Sequence, residues 1–364
     1  MTSLGTHRRH RPWLALTAAL LTLGLVGCGS EPGDVATSPS TGSSADGAQS
    51  GGTLTFAIGN DPISVNPHGG GSGNDAQYIT RQIVDSLVDQ DPQTGEIVPW
   101  LATSWEINDD ATEFVFTLRD DVTFSDGTAF TAQSVVNTLE DVIANGAVAN
   151  AAVSFLGDYT GAEAIDDVTV QITFGSPNAP FLQALSGPGL APIADASIAT
   201  PWDERVSDGV IGTGPFVLDH YTPNTEVLLT KRDGYAWPSE VSDNPGAAYL
   251  DEVLFQVVPE PSVRTGALSS GQVDVIGGVP PQDQELISAS EFALVIRANP
   301  GTTFGLTPYT AKPGVDDVAV RQAIQVALDR ESIRDASVNA DYAVSRSVLS
   351  DTTPGFGRLG PAGP

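Results

Sequence analysis

Pro99-Trp100-Leu101-Ala102-Thr103-Ser104-Trp105-Glu106, followed by Phe114-Val115-Phe116-Thr117-Leu118-Arg119 and Phe124-Ser125-Asp126-Gly127, is the stretch on which the fold of this chain turns. Phe114, Phe116 and Leu118 recur at every second position, the period of a half-buried strand. Trp100, Trp105, Phe114, Phe116 and Phe124 read as core and domain-edge packing, because aromatic side chains dominate buried area. Asp126 before Gly127 reads as a turn: the carboxylate caps backbone donors and the glycine takes a positive φ.

Upstream, residues 53–58 alternate like a strand, and a Gly-, Pro- and Asn-rich loop over 59–73 leads into a helical pattern with Ile79, Ile83, Val84, Leu87 and Val88 on one face. Downstream, Val135, Val136, Leu139, Val142 and Ile143 form a helical stripe that stops at Gly146, and Val168, Val170, Ile172 and Phe174 alternate as a strand. Residues 216–221 and 226–231 flank Pro223 and Asn224 as a hairpin, and Val253, Phe255 and Val257 make a strand before a helix over 262–270. Val320, Ala323, Ile324, Ala327 and Leu328 return to helix spacing. Strands and helices alternate along the chain, which predicts an α/β fold.

The chain has 364 residues, 40% of them hydrophobic and 17% charged, enough apolar material for two or three domains. Its 45 acidic against 16 basic residues give a formal charge of −29. Such a field repels phosphate backbones, so nucleic acid is excluded as a partner. A single Cys closes no internal disulfide. That residue, Cys28, ends Leu25-Val26-Gly27-Cys28, after Arg8, Arg9 and Arg11 and an apolar run over 13–26 that is too short for a comfortable membrane span. The segment resembles the lipobox of bacterial lipoproteins. The resemblance implies a signal peptide over 1–27, lipidation of Cys28 and, over 28–51, a flexible lipid-anchored linker too poor in apolar residues to fold. Loss of the three arginines on cleavage takes the charge from −29 to −32.

Chemistry on a substrate finds little support. His7, His10, His68 and His220 are too few and too scattered for a metal site, no metal or cofactor is expected, and no nucleotide loop or serine nucleophile elbow is present. Asp109 with Asp110 and Asp120 with Asp121 are adjacent acids, expected by chance at this acid content. The loop over 69–73 is placed to cradle an anion at the start of the following helix.

Taken in order, the quoted stretch, Gly212-Thr213-Gly214-Pro215-Phe216 and Val320-Arg321-Gln322-Ala323-Ile324 with Asp329-Arg330 resemble the large extracytoplasmic solute-binding proteins of ATP-binding cassette importers. The resemblance runs from Gly52 to the end and implies a two-lobed, periplasmic-binding-protein-like fold of the large three-domain type, monomeric and without enzymatic activity. It places lobe I at 52–90 and 202–298, an inserted domain at 91–201 and the start of an incomplete second lobe at 299–364. The implied function is capture of a small solute, an oligopeptide first, outside the membrane, and delivery to a permease. Asn60, Asp61, Ser72, Asn74, Trp202 and Tyr309 are the candidate substrate-binding residues, with Asp61 a partner for a peptide amino terminus. Arg321 and Arg330 read as structural ion-pair donors. Rival readings are a ligand-sensing or adhesive surface lipoprotein and a secreted hydrolase. Because members of this family continue well past the Val320 helix, that helix is expected to expose an apolar stripe.

Overall fold

A computed structural model describes residues 49–71, 73–297, 300–338 and 342–353. Among the described residues the first element is β1 (Thr53–Ile58), after which the backbone crosses the loop over 59–73 and enters α1 (Asn74–Ile83). A two-stranded ribbon of β2 (Val88–Gln90) and β3 (Ile97–Pro99) follows, then β4 (Ala102–Ile107) and β5 (Glu113–Leu118). Next come α2 (Ala132–Ala144), α3 (Asn150–Leu156), β6 (Tyr159–Ala164), β7 (Thr169–Phe174) and the short helices α4 (Phe181–Ala184), α5 (Asp195–Ile198) and α6 (Trp202–Asp208). The chain continues through β8 (Phe216–Thr222), β9 (Glu226–Lys231), β10 (Glu252–Val257), α7 (Pro261–Ser269), β11 (Val275–Ile276), α8 (Pro281–Ser288), α9 (Val318–Ala327) and α10 (Arg330–Ser337). Helix and strand are thus mixed, as the sequence pattern requires.

Two larger sheets organise these elements. One has five strands in the order β11-β1-β10-β9-β8, and the other has four in the order β4-β5-β7-β6. In the first, β1 runs parallel to β10 and β11, whereas β10, β9 and β8 are antiparallel. The predicted hairpin is β8–β9, and Asn224 in its turn takes φ 57, a value Asn tolerates. The four-stranded sheet is antiparallel throughout.

The alternation in β5 buries Phe114, Phe116 and Leu118 on one face. Phe114, Phe174 and Phe181 meet edge to face, with centroids 5.7, 5.2 and 4.8 Å apart. Burial of each such ring contributes about 1.5–3 kcal/mol. Helix α2 covers β6 and β7 with Val135, Leu139 and Val142, and its Thr131–Ser134 capping box satisfies its first amides. Asp126 closes its turn as predicted, accepting from the Thr128 amide at 2.9 Å while Gly127 takes φ 86.

Helix α1 ends sooner than its apolar spacing predicts. Val84 is already extended at φ −127 and ψ 146, and Val88 belongs to β2. The cause is a backbone docking: the Gly214 amide donates to the Ile83 carbonyl at 2.9 Å, and a Cβ at Gly212 would stand 2.2 Å from that same oxygen. Asp85 then turns inward, fully buried, and accepts from the Tyr235 hydroxyl at 3.2 Å and Trp237 Nε1 at 3.0 Å. Burial pushes its carboxyl up to about 7. Trp100 joins this cluster through Nε1, 3.0 Å from the Trp237 carbonyl. Arg81 and Arg232 lie over Trp100 and Trp237 at 4.8 and 4.9 Å.

The last helices differ from the rest. No residue of α9 or α10 is buried, and Val318, Val320, Ile324 and Val326 face solvent. Arg321 donates to the carbonyls of Val315 and Asp316, and Arg330 to that of Ser345, where carboxylate partners were expected.

Candidate functional site

Parallel strands deliver their following loops to one edge, so β1, β10 and β11 bring the backbone after residues 58, 257 and 276 together. The β8–β9 turn joins them, because the Val257 amide donates to the Thr225 carbonyl at 2.9 Å. Arg264 of α7 fastens this edge. Its Nη1 donates to the carbonyls of Val258 and Pro259 at 2.6 and 2.9 Å, and its Nε and Nη2 to those of Gly277 and Gly278 at 3.0 and 3.2 Å. A Cβ at Gly59 would stand 3.3 Å from the same guanidinium, so all three loops converge on one buried cation.

The loop after β1 is the longest of them and carries most of the candidate residues. Asn60 donates from its amide and from Nδ2 to Asp75 of α1, both at 2.8 Å. That carboxylate occupies the first turn of α1, where an anion would otherwise bind, which argues against an anion cradle over 69–73. Asp61 accepts from the Ile63 amide at 2.7 Å, the Tyr221 hydroxyl at 2.5 Å and the Asn224 amide. Its carboxylate therefore ties the loop to the hairpin turn, an anchoring role that composition alone does not reveal. Gly71, at φ 52, admits no side chain, since a Cβ would stand 2.8 Å from the Pro62 carbonyl.

Beneath the loop is a polar core. The Val65 amide donates to the Val206 carbonyl at 3.0 Å, and His68, fully buried, places Nε2 2.9 Å from the Ala191 carbonyl. Burial pushes the His68 imidazole down to about 4, so it is neutral and structural. Trp202, the first residue of α6, lies 3.8 Å from where a Gly69 Cβ would be, and the Arg205 guanidinium is 5.0 Å from its ring. Arg205 in turn pairs with Asp141 at 2.6 and 3.1 Å, both side chains almost fully buried.

Asn60, Asp61, Asn74 and Trp202 are thus gathered around one loop. Tyr309 stands on a separate segment, 69% exposed. Ser72 and Cys28 lie outside the described residues. Asn74 also lines a cavity of about 380 Å³ with Gln77, Tyr78, Arg81, Asp89 and Gln90, mostly neutral hydrogen-bonding groups that the sequence reading passed over. Only Arg81 and Asp89 are charged there, and they pair at 3.4 Å. Among the described residues no group of three His, Cys, Asp or Glu is placed to hold a metal ion, and no helix is long and apolar enough to cross a membrane.

This arrangement has clear relatives. The chain is 26% identical over 310 residues to the nickel-binding periplasmic protein of Escherichia coli K12, a match covering 82% of this chain and 56% of that one. It is likewise 26% identical over 325 residues to the dipeptide-binding protein of the same organism, covering 84% and 59%. The crystal structure of NikA from Brucella suis in complex with Fe(III)-EDTA superposes with a TM-score of 0.69 at 27% identity, covering 85% of this chain and 61% of that one. The chain therefore spans about three-fifths of the length of these relatives. The family model described as "Bacterial extracellular solute-binding proteins, family 5 Middle" matches residues 96–362. With most of its length inside that match and the same fold around it, the chain belongs to the bacterial extracellular solute-binding proteins of family 5.

Proposed function

We propose that this chain is the solute-capturing lipoprotein of an ATP-driven importer, held outside the membrane by acylated Cys28, and that its solute is a short peptide delivered to a separate permease. The observation that carries the reading is the convergence of the loops after β1, β10 and β11 at one edge of the sheet, where ligands of open α/β sheets bind. A peptide backbone presents alternating donors and acceptors, and the side-chain amides of Asn74 and Gln77, at the start of the helix that follows that loop, offer both kinds of partner. Asn60, Ser72, Asn74, Trp202 and Tyr309 are the proposed contacts, and Asp61 acts by holding the loop. Lobe I at 52–90 and 202–298, with the inserted domain at 91–201, forms one wall of the site. A monomer performs this work without chemistry on the solute.

Native mass spectrometry of protein purified from the membrane fraction tests the reading. An added mass that fragments into amino acids is the expected result. A co-purified metal chelate would replace the peptide with a different solute, and turnover of added peptide would overturn the binding role. Cys28→Ser should move the protein to the soluble fraction, and unchanged membrane retention would remove the lipid anchor.

A further inference from the structure

Ile63 combines two features that are individually unfavourable. Its φ of 65 lies in the left-handed region, where a β-branched side chain crowds the backbone. Its side chain is also 65% exposed, so core packing does not offset that strain. The conformation is imposed from both sides. Asp61 accepts the Ile63 amide at 2.7 Å while bonded to Tyr221 and Asn224, and the Val65 amide is fixed to the Val206 carbonyl at 3.0 Å. Glycine would relieve the strain, and a polar residue would suit the solvent. Backbone strain that the surroundings over-determine is a mark of functional positions. Ile63 lies on the very loop that the parallel strands deliver to the sheet edge.

We propose that Ile63 is a specificity-determining residue of the site, its aliphatic side chain held outward to pack against an apolar side chain of the captured solute. The proposal rests on the peptide-capturing role above and deepens it, since it restricts the preferred peptides to those with large apolar side chains.

The test is calorimetric titration of trileucine and trialanine into the unaltered protein, Ile63→Gly and Ile63→Asn, with melting temperatures measured alongside. The unaltered protein should bind trileucine about tenfold more tightly than trialanine, the scale of discrimination an apolar contact provides. Ile63→Gly should melt about 2 °C higher and lose most of that preference. Ile63→Asn should lose the preference too, with a side chain that tolerates the left-handed region. Equal affinity for the two peptides in the unaltered protein, or full preference retained by both variants, overturns this inference and leaves peptide capture standing. A lower melting temperature for Ile63→Gly removes the strain on which it stands. Failure of either peptide to bind the unaltered protein overturns the peptide reading itself, and this inference with it.

Discussion

The buried guanidiniums of Arg205 and Arg264 are accommodated by different partners. Arg205 meets a carboxylate, Asp141, 64 positions away, whereas the partners of Arg264 are four carbonyls. Removing one member of a buried ion pair leaves the other charge uncompensated, so Asp141→Ala should cost about 3–5 kcal/mol in urea denaturation. The double change to Asp141→Leu with Arg205→Met should cost less than Asp141→Ala alone. Arg264→Ala should speed amide exchange at Val258, Glu260 and residues 277–279. Arg264→Lys should rescue it only in part, because a single ammonium cannot span both carbonyl pairs. Neither role was legible in the sequence. Backbone carbonyls have no signature in a list of side chains, and a pair separated by that many positions declares itself only once α2 and α6 are packed. Asp61 shows the same limit from the other side: its place in the loop was readable, but the three donors that occupy it come from folding.

At the scale of elements, the sequence was most informative where packing follows a simple period. The strands β5, β7 and β10, the β8–β9 hairpin and the helices α2, α7 and α9 lie where alternation and helix spacing place them. The end of α1 does not, since Val84, Leu87 and Val88 keep helix spacing while the chain is pulled out of the helix by the docked backbone of 212–214. That docking depends on the absence of a side chain. Gly212→Ala would set a Cβ 2.2 Å from the Ile83 carbonyl and 2.7 Å from Val84 Cγ1, with backbone on one side. Overpacking of this kind costs about 1–3 kcal/mol or more. The variant should therefore melt well below the unaltered protein, and the fluorescence of buried Trp237 should report the loosened junction. The exposure of the apolar stripe of α9 was implied by the family resemblance and not by the helix's own pattern, and Val320 and Ile324, each 39% exposed, lie on it.

For the molecule as a whole, two buried groups pull the pH dependence of stability in opposite directions. Asp85, pushed up to about 7, keeps a proton that the unfolded chain has lost above its ordinary value of 3.8, so its contribution falls as pH rises from about 4 to 7. His68, pushed down to about 4, refuses a proton that the unfolded chain holds below 6.5, so its contribution falls as pH drops from 6.5 to about 4. The effect is worth about 4 kcal/mol for Asp85 and about 3 kcal/mol for His68 across their windows. Their sum should leave stability nearly flat between pH 4 and 6.5, and thermal melts across that range check it. Asp85→Asn should expose the His68 dependence, with stability lost on acidification, and His68→Gln should expose the reverse. The topology of the five-stranded sheet also governs how the chain arrives at this state. Thr53 and Thr55 of β1 bond to residues 199 and 219 positions downstream, whereas β4 to β7 pair within residues 102–174. Loop-closure entropy and contact order both delay the distant pairing. Strand β1 is then late to find its neighbours, and pulse-labelled exchange during refolding should protect β5 and β7 before β1. Until residues 252–276 are available β1 has no neighbour to pair with, so the loop that follows it, with every group it presents to a solute, takes shape late in folding.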